Sequence, residues 1–197
     1  DLHSFPTRRS SDLSFEDDCS LRHNADSWGE IISQTMTRAY IRNHYKDFKS
    51  MFEYFRAFGV DPSRTGDCGQ HCHISLTCFG RTKKTQDDSI RKLYYIVNKH
   101  FYLICALLYR RADRQEYCNR MDPDVAWTMD LSDMSGSHGN SFNGSHYTAG
   151  NVELRIPGGQ KDFPCFRNTM ESIFHLVDIS KEISRKDCDD VVKIFSG

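Results

Sequence analysis

Two histidines lie on one face of an alternating segment. Polar and apolar residues alternate through residues 70–78, which predicts a half-buried strand. On such a strand His71 and His73 point to the same side, together with Ser75. Two imidazoles roughly 6–7 Å apart could serve one metal ion, or one ion and one phosphate group. The alternative is a pair of solvent-exposed histidines on an open sheet face, and spacing alone leaves both interpretations open.

A carboxylate and a guanidinium share one face of a second predicted strand, residues 151–157. Glu153 and Arg155 are two residues apart there, so their side chains leave the same side. Carboxylate oxygens suit Mg²⁺ or Mn²⁺, and arginine binds carboxylates and phosphates bidentately. Taken alone, the pair is better explained as a surface ion pair that contributes little. Glu30 lies on the polar face of a third predicted strand, residues 27–34, and by itself carries no functional signal.

The cysteines offer a zinc site as another interpretation, but a weak one. Cys68 and Cys72 are separated by three residues, and His71 and His73 lie beside them. On a regular strand Cys72 faces away from both histidines, and no second Cys or His pair has zinc-finger spacing. The chain has eight cysteines and no visible secretory signal, so we expect most of them to be reduced thiols.

Amphipathic helices must position these strands. Apolar stripes at helical spacing predict one helix over residues 37–58 and another over residues 86–111. Gly59 marks the C-terminal end of the first helix, and a Thr85–Asp88 capping box marks the start of the second. A Ser-, Gly- and Asn-rich stretch, residues 132–151, predicts a long loop with a short strand near residues 142–147. The predicted helices span residues 37–58, 86–111, 164–180 and 187–195. Strands with polar faces backed by long helices indicate the α+β class.

Charge and hydropathy exclude several classes of partner. The 26 basic and 27 acidic residues leave a net charge of −1, which gives no electrostatic reason to expect nucleic acid or an anionic membrane. The longest apolar run, residues 101–109, is far shorter than the roughly 20 residues of a spanning helix. We therefore expect no membrane partner and a cytoplasmic location, while the oligomeric state stays open.

The first thirteen residues resemble a translated sequencing adapter. Residues 1–13 have neither helical nor strand periodicity, and we expect them to be an artefactual, non-native segment. A natural N-terminal arm is the alternative. On the first interpretation residues 14–197 are a partial domain that is truncated at its N-terminus.

These segments together resemble the amidoligase family, relatives of glutamine synthetase. GQHCHISL at residues 69–76 is similar to the family's HxH strand, and VELRIP at residues 152–157 to its later Glu–Arg strand. GEIIS, which contains Glu30, resembles the family's EIVS strand, and DCSL at residues 18–21 resembles its DGSL segment. The resemblance implies an antiparallel sheet of the glutamine synthetase catalytic type, backed by long helices. The family's first strand, with its paired carboxylates, has no counterpart here, so the resemblance implies a sheet that is incomplete at the N-terminus.

The resemblance also implies a role for each matched residue. His71, Glu153 and Glu30 match metal-facing positions for Mg²⁺ or Mn²⁺. His73 and Ser75 match the strand that lies near the phosphates of ATP, and Arg155 matches the substrate-contacting arginine. His73 and Arg155 are thereby the expected catalytic residues.

The activity implied by the resemblance is ATP-dependent amide-bond formation. ATP phosphorylates a substrate carboxylate, and an amine or ammonia then attacks the acyl phosphate, while divalent ions neutralise the phosphoryl oxygens. The fragment could be inactive without the missing strand. Two other classes stay open: a metal-dependent hydrolase that uses His71, His73 and Glu153, and a non-catalytic protein that keeps the fold.

Overall fold

The protein divides into two compact units, one up to Val60 and the other from Asp61 onward. The computed structural model describes residues 13–16, 30–61, 69–111, 118–133 and 139–196. In the described residues helices are combined with two small antiparallel sheets, which confirms the α+β class. The glutamine synthetase type of sheet stays a prediction. Most of residues 1–13 and the DCSL segment lie outside the described residues.

Unit one contains a two-stranded antiparallel sheet and two helices. Strand β1, Leu13–Glu16, pairs with β2, Glu30–Ser33, so that Glu16 is opposite Glu30. Leu13, the last residue of the adapter-like segment, pairs with Ser33 in this ladder. Helices α1, Arg38–Asn43, and α2, Tyr45–Ala57, follow. The predicted helix over residues 37–58 is therefore two helices.

Helix α2 ends as its sequence predicts. Gly59 has a φ of 72°, a left-handed conformation that glycine adopts without a Cβ clash. Its N–H bonds the carbonyl of Arg56, and the N–H of Val60 bonds that of Phe55. These two bonds form a Schellman motif, which satisfies carbonyls that the end of a helix would otherwise leave unpaired.

Unit two is built on a three-stranded antiparallel sheet. Its strands are β3, Cys72–Ser75; β4, Phe142–Asn143; and β5, Asn151–Leu154. The spatial order is β3-β5-β4, so β5 is central. We predicted a strand over residues 70–78, but β3 ends at Ser75 because a 3-10 helix begins at Leu76. The N–H of Leu76 donates to the carbonyl of Gly150. Cys78 therefore lies on this helix and is exposed, not on the apolar face of a strand.

Helices cover the apolar face of this sheet. Helix α3, Lys83–Lys99, and helix α4, Phe101–Leu107, replace the single predicted helix over residues 86–111 and meet at His100. Helix α5, Phe163–Glu182, packs against α3, and α6, Val191–Phe195, ends the described chain. The predicted stripe along α3 and α4 forms the core and is at most 1% exposed: Ile90, Leu93, Val97, Phe101, Ile104 and Leu108.

The start of α3 differs from the prediction. The capping residue is Thr82, whose hydroxyl accepts from the backbone N–H of Thr85, and the Thr85 hydroxyl lies 3.1 Å from the backbone nitrogen of Thr82. The capping box is therefore Thr82–Thr85, and the predicted Thr85–Asp88 box is wrong. Two threonines give no sequence signal as strong as Thr followed by an acidic residue.

The Ser-, Gly- and Asn-rich region has short structured pieces. Three 3-10 helices occur in and before it, Pro123–Trp127, Leu131–Asp133 and Tyr147–Ala149, in addition to β4. None of the helices in the described residues is long and apolar enough to cross a membrane.

Candidate functional site: a polar cluster on one sheet face

The register of β3 and β5 brings the two predicted motifs together. His73 lies directly opposite Glu153, and Cys72 lies opposite Leu154. Residues directly opposite in an antiparallel pair share a face, so His73 and Glu153 leave the same side of the sheet. On the other side of β5, Asn143 of β4 is also opposite Glu153. Glu153 thus occupies the middle of the polar face.

An extra residue distorts the ladder beside this face. Beyond the Cys72–Leu154 pair, the next bridge joins Gly69 to Gly158. Gly69 is three residues from Cys72, whereas Gly158 is four residues from Leu154. The segment that follows β5 therefore has one extra residue between the two pairs, which defines a β-bulge. The bulge lies next to His71 and Arg155, and such bulges re-aim side chains relative to a regular ladder.

Glu153 is a buried carboxylate with three polar neighbours. Its residue is 2% exposed. Oε1 accepts from Arg155 Nη1 at 2.7 Å and lies 3.4 Å from His71 Nδ1, while Oε2 accepts from Asn143 Nδ2 at 2.9 Å. Burial raises the pKa of Glu153, but Arg155, Asn143 and the two histidines together outweigh it and lower the pKa below its ordinary value. Glu153 is therefore negatively charged at neutral pH.

His71 is a neutral imidazole in this environment. Burial lowers its pKa, and the charge of Arg155 lowers it further, to about 4, although Glu153 acts in the opposite direction. A neutral imidazole keeps one nitrogen lone pair, which is the form that coordinates metal ions. Glu153 and His71 thus place an anionic oxygen donor and a neutral nitrogen donor 3.4 Å apart.

Arg155 and Arg110 put two cations behind the same cluster. The residue Arg155 is 8% exposed, and its Nε is buried without a hydrogen-bond partner in the described part of the chain. Arg110 is equally buried and donates to the carbonyls of Arg155, Ile156 and Pro157. The interpretation of Glu153 and Arg155 as a surface ion pair is therefore wrong, because both side chains are covered by the fold.

Arg110 and Asn143 are site residues that the sequence did not reveal. Arg110 follows α4 and donates to the carbonyls of the segment after β5, residues 155–157, and Gly69 and Gly158 leave room for this approach. A Cβ on Gly69 would be 2.6 Å from Arg110 Nη2, and one on Gly158 would collide with the Tyr109 carbonyl. Asn143 falls within the short strand predicted near residues 142–147, but it is one of three asparagines in residues 132–151, and the sequence did not mark it as a site residue.

His73 and Ser75 are placed at the exposed edge of the sheet. His73 Nδ1 lies 3.2 Å from Asn151 Oδ1, and the His73 ring contacts that of His146 at a centroid distance of 5.2 Å. The Ser75 hydroxyl lies 2.9 Å from that of Thr77 and accepts from the Thr77 N–H at the start of the 3-10 helix. Ser75 thus has a local capping role. Its predicted part in ATP binding stays a prediction.

Glu30 lies in β2 of unit one, and its side chain is outside the described residues. Its predicted membership of the metal site therefore stays a prediction.

Cys72 belongs to the apolar face and not to a metal site. Gln70 Nε2 lies 3.5 Å from its sulfur and 3.1 Å from the sulfur of Met170. Burial raises the pKa of the Cys72 thiol to about 12, so it stays protonated and is a poor metal ligand. Cys68 lies outside the described residues, and the six described cysteines are free thiols.

Glu153 and His71 provide only part of the ligand shell that a Mg²⁺ or Mn²⁺ ion requires. Within the described ranges no group of three or more His, Cys, Asp or Glu side chains is placed to hold a metal ion. The pair Glu153 and His71 nevertheless suits Mg²⁺ or Mn²⁺ in the form common at nucleotide sites. There one or two protein ligands hold the ion, and water and substrate phosphates complete its shell.

Comparison with protein-family models, with curated proteins and with solved structures found no match to this chain. The resemblance to amidoligases therefore rests on the HxH, VELRIP and GEIIS segments themselves.

Proposed function

We propose that this chain is part of an ATP-dependent carboxylate–amine ligase whose site is the polar face of β3 and β5. The observation that carries the proposal is the meeting of Glu153, His71 and Arg155 in one cluster, in which the two charged side chains are buried. These residues come from two segments about 80 positions apart in sequence, which are the two segments that resemble the family. A solvated pair of surface charges would not need this burial.

Each residue of the cluster suits a separate task. Glu153 supplies a hard oxygen ligand and His71 a neutral nitrogen ligand for a divalent ion. The ion, when bound, neutralises charge on transferring phosphoryl oxygens. Arg155 supplies a planar donor for an anionic substrate group.

Arg155 and a cation compete for the same carboxylate. Arg155 Nη1 now bonds Oε1 of Glu153, the oxygen that faces His71. A divalent ion on that oxygen would release Nη1 for an anionic group of a substrate. The ion would replace Arg155 as the partner of Glu153, and the substrate anion would replace Glu153 as the partner of Arg155. Metal binding and substrate binding would therefore favour each other.

A non-catalytic protein that keeps the fold is the second candidate. It is favoured by the saturation of Glu153, whose two oxygens already accept hydrogen bonds from Arg155 and Asn143. The hydrolase that would use His71, His73 and Glu153 gains no such support, since His73 contacts Asn151 and His146.

Metal binding and ATP turnover on matched variants test the proposal. Mn²⁺ binding is followed by loss of the free-ion EPR signal, and phosphate release is measured with Mg·ATP and a panel of carboxylates with ammonia. Glu153→Gln should weaken Mn²⁺ binding at least ~10-fold, since even second-shell changes cost that much. Arg155→Lys keeps the charge but loses the planar fork, so it should impair turnover and leave Mn²⁺ affinity nearly unchanged.

The control is Glu182→Gln, an exposed carboxylate at the end of α5, which should change neither quantity. Circular dichroism of each variant shows whether the fold is intact. An Mn²⁺ affinity that Glu153→Gln leaves unchanged would refute the ligase and favour the non-catalytic candidate. Metal-dependent hydrolysis without ATP would favour the hydrolase.

A further inference from the structure

Helix α4 is apolar on its outer side as well as on its inner one. Its seven residues, FYLICAL, include no charged side chain, and one side of the helix packs into the core. On the other side Tyr102, Leu103 and Leu107 are 62%, 38% and 37% exposed. A surface helix ordinarily carries polar residues on its outer side, and a helix that is apolar all round is typical of a buried position. The outer side of α4 therefore has the composition of a surface that another element covers.

Tyr109 enlarges this surface and carries backbone strain. It follows the end of α4 with a φ of 57°, the left-handed conformation that glycine favours at this position. The N–H of Arg110 bonds the carbonyl of Cys105, and the N–H of Tyr109 bonds that of Ala106, which together form a Schellman motif. A residue with a side chain costs about 1–2 kcal/mol in this conformation, and such strain concentrates at functional sites. The Tyr109 side chain is 42% exposed and continues the apolar surface of α4.

A groove of about 430 Å³ lies beside α4, where α4 meets α5. Leu107 and Tyr109 line one part of the groove, and Asn168 and Glu171 of α5 line another. The Asn168 amide donates to the Tyr109 hydroxyl at 3.1 Å, which joins the tyrosine to α5. Tyr102 does not line the groove and projects from α4. A projecting helix side next to a groove can fit its own copy twice about a two-fold axis, because each copy offers both shapes.

The size of this apolar surface is close to what an interface needs. The exposed fractions of Tyr102 and Tyr109 correspond to about one whole tyrosine, roughly 200 Å². Leu103 and Leu107 bring the exposed apolar area to roughly 300 Å². One side of a standard protein interface buries ~800 Å², of which roughly 450 Å² is apolar. The surface therefore supplies about two thirds of the apolar area of one side of a stable interface, and tyrosine is among the residues that interfaces favour.

We propose that a second copy of this chain covers this surface, in a two-fold dimer with the outer sides of the two α4 helices at its centre. Tyr102, Leu103 and Leu107 carry no charge, so an arrangement that brings the same residues of two copies together creates no like-charge contact. The net charge of −1 likewise leaves little long-range repulsion between the copies. A charged partner would find no charge on α4 to pair with. The proposal is independent of the ligase, because it uses none of the residues of the Glu153 cluster.

The test is sedimentation velocity of the full chain from about 1 to 100 µM, a range that brackets micromolar affinities. Dithiothreitol is present throughout, so that disulfides between the cysteines of two chains do not contribute. The wild type should pass from monomer to dimer with a dissociation constant in the micromolar range, since the apolar surface is smaller than that of a standard interface. Tyr102→Glu should weaken dimerisation at least ~10-fold, because it removes an aromatic ring and places like charges in the interface.

A second variant and a control assign the contact to this surface. Leu107→Glu, on the groove side of α4, should weaken dimerisation by a similar factor. Val192→Glu adds the same charge at a side chain that is 71% exposed on α6, so it should leave the dissociation constant unchanged. Urea midpoints equal to that of the wild type show that each variant is folded, and the more exposed Tyr102 keeps the test decisive if Leu107→Glu misfolds.

Three results would overturn the proposal. The first is a wild type that stays monomeric over the whole concentration range, which would leave this surface to a partner of another sequence. The second is a dimer that Tyr102→Glu does not weaken. The third is equal weakening by Tyr102→Glu and Val192→Glu, which would show a general effect of added charge and not a contact at α4.

Discussion

The depressed pKa of His71 makes a quantitative prediction about stability and pH. A histidine that stays neutral in the folded protein, but takes up a proton when unfolded, destabilises the fold as the pH falls. For His71 the pKa falls from 6.5 to about 4 on folding, because of burial and the charge of Arg155. Between these two values the unfolded chain binds one more proton than the folded one, so the free energy of unfolding rises with pH.

The size of the effect follows from the width of the pH range between the unfolded and folded pKa values of His71. Each pH unit within it changes the free energy of unfolding by ~1.4 kcal/mol, so acidification from pH 7 to 4.5 should cost about 2–3 kcal/mol through His71. Folding lowers the pKa of Glu153 from its ordinary value of 4.5, so its own contribution is lost mainly below pH 4.5 and adds little over this range. His71→Asn removes the titrating group and keeps a polar side chain in its place, so this part of the loss should disappear.

Urea unfolding at several pH values from 7 to 4.5 measures the difference. A Trp28→Phe background leaves Trp127, in unit two, as the fluorescence reporter. Thr169→Val is the matched control, because it removes a buried hydrogen bond to Gln160 without removing a titrating group. The stability gap between wild type and His71→Asn should change by about 2–3 kcal/mol over this range, and the gap to Thr169→Val should stay constant. Parallel pH profiles for wild type and His71→Asn would refute the burial of a neutral imidazole.

Two further substitutions test the packing that supports the site. Gly158→Ala places a Cβ 2.9 Å from the carbonyl carbon of Tyr109, so it should cost roughly 1–3 kcal/mol of unfolding free energy, whereas Gly150→Ala, with open space around it, should cost ~1 kcal/mol through its positive φ alone. Equal losses, measured by thermal unfolding, would contradict the close backbone contact. Asn98→Ala should cost about 2–3 kcal/mol of unfolding free energy, because the Asn98 side-chain oxygen accepts hydrogen bonds, each 2.9 Å long, from the Met121 N–H and the Ser141 hydroxyl. These bonds join the segments just before Pro123 and just before β4 to α3. A urea midpoint within error of wild type would show that those donors find other partners.

Local sequence patterns predicted the elements of unit two well. The apolar stripe from Ile90 to Leu108 is buried along its whole length, since helical spacing alone decides which residues can share a face. The alternation around His73 and Glu153 likewise gave the correct faces of β3 and β5. Element ends were predicted less well. The break at His100 and the Thr82 cap depend on contacts of single residues, which periodicity does not record.

The sequence by itself determined which side chains share a face of each strand. His71 and His73 had to lie together, and so did Glu153 and Arg155, because strand geometry has a period of two. The sequence could not determine whether the polar faces of β3 and β5 would meet, or whether the fold would bury them. That depended on the register of β3 against β5, on the bulge beside Arg155, and on the long-range packing of Arg110.

Only the tertiary structure decided the charges of the cluster. A Glu–Arg pair two residues apart is weak in water, but the fold buries it. Burial and the charge of Arg155 keep His71 neutral, and Arg155 and Asn143 keep Glu153 ionised. The hydrogen bond between Lys83 and Tyr147 has the same origin, since these residues are 64 positions apart and meet only through packing. Desolvation and the distances between charges set these properties, and both depend on contacts between residues far apart in the chain.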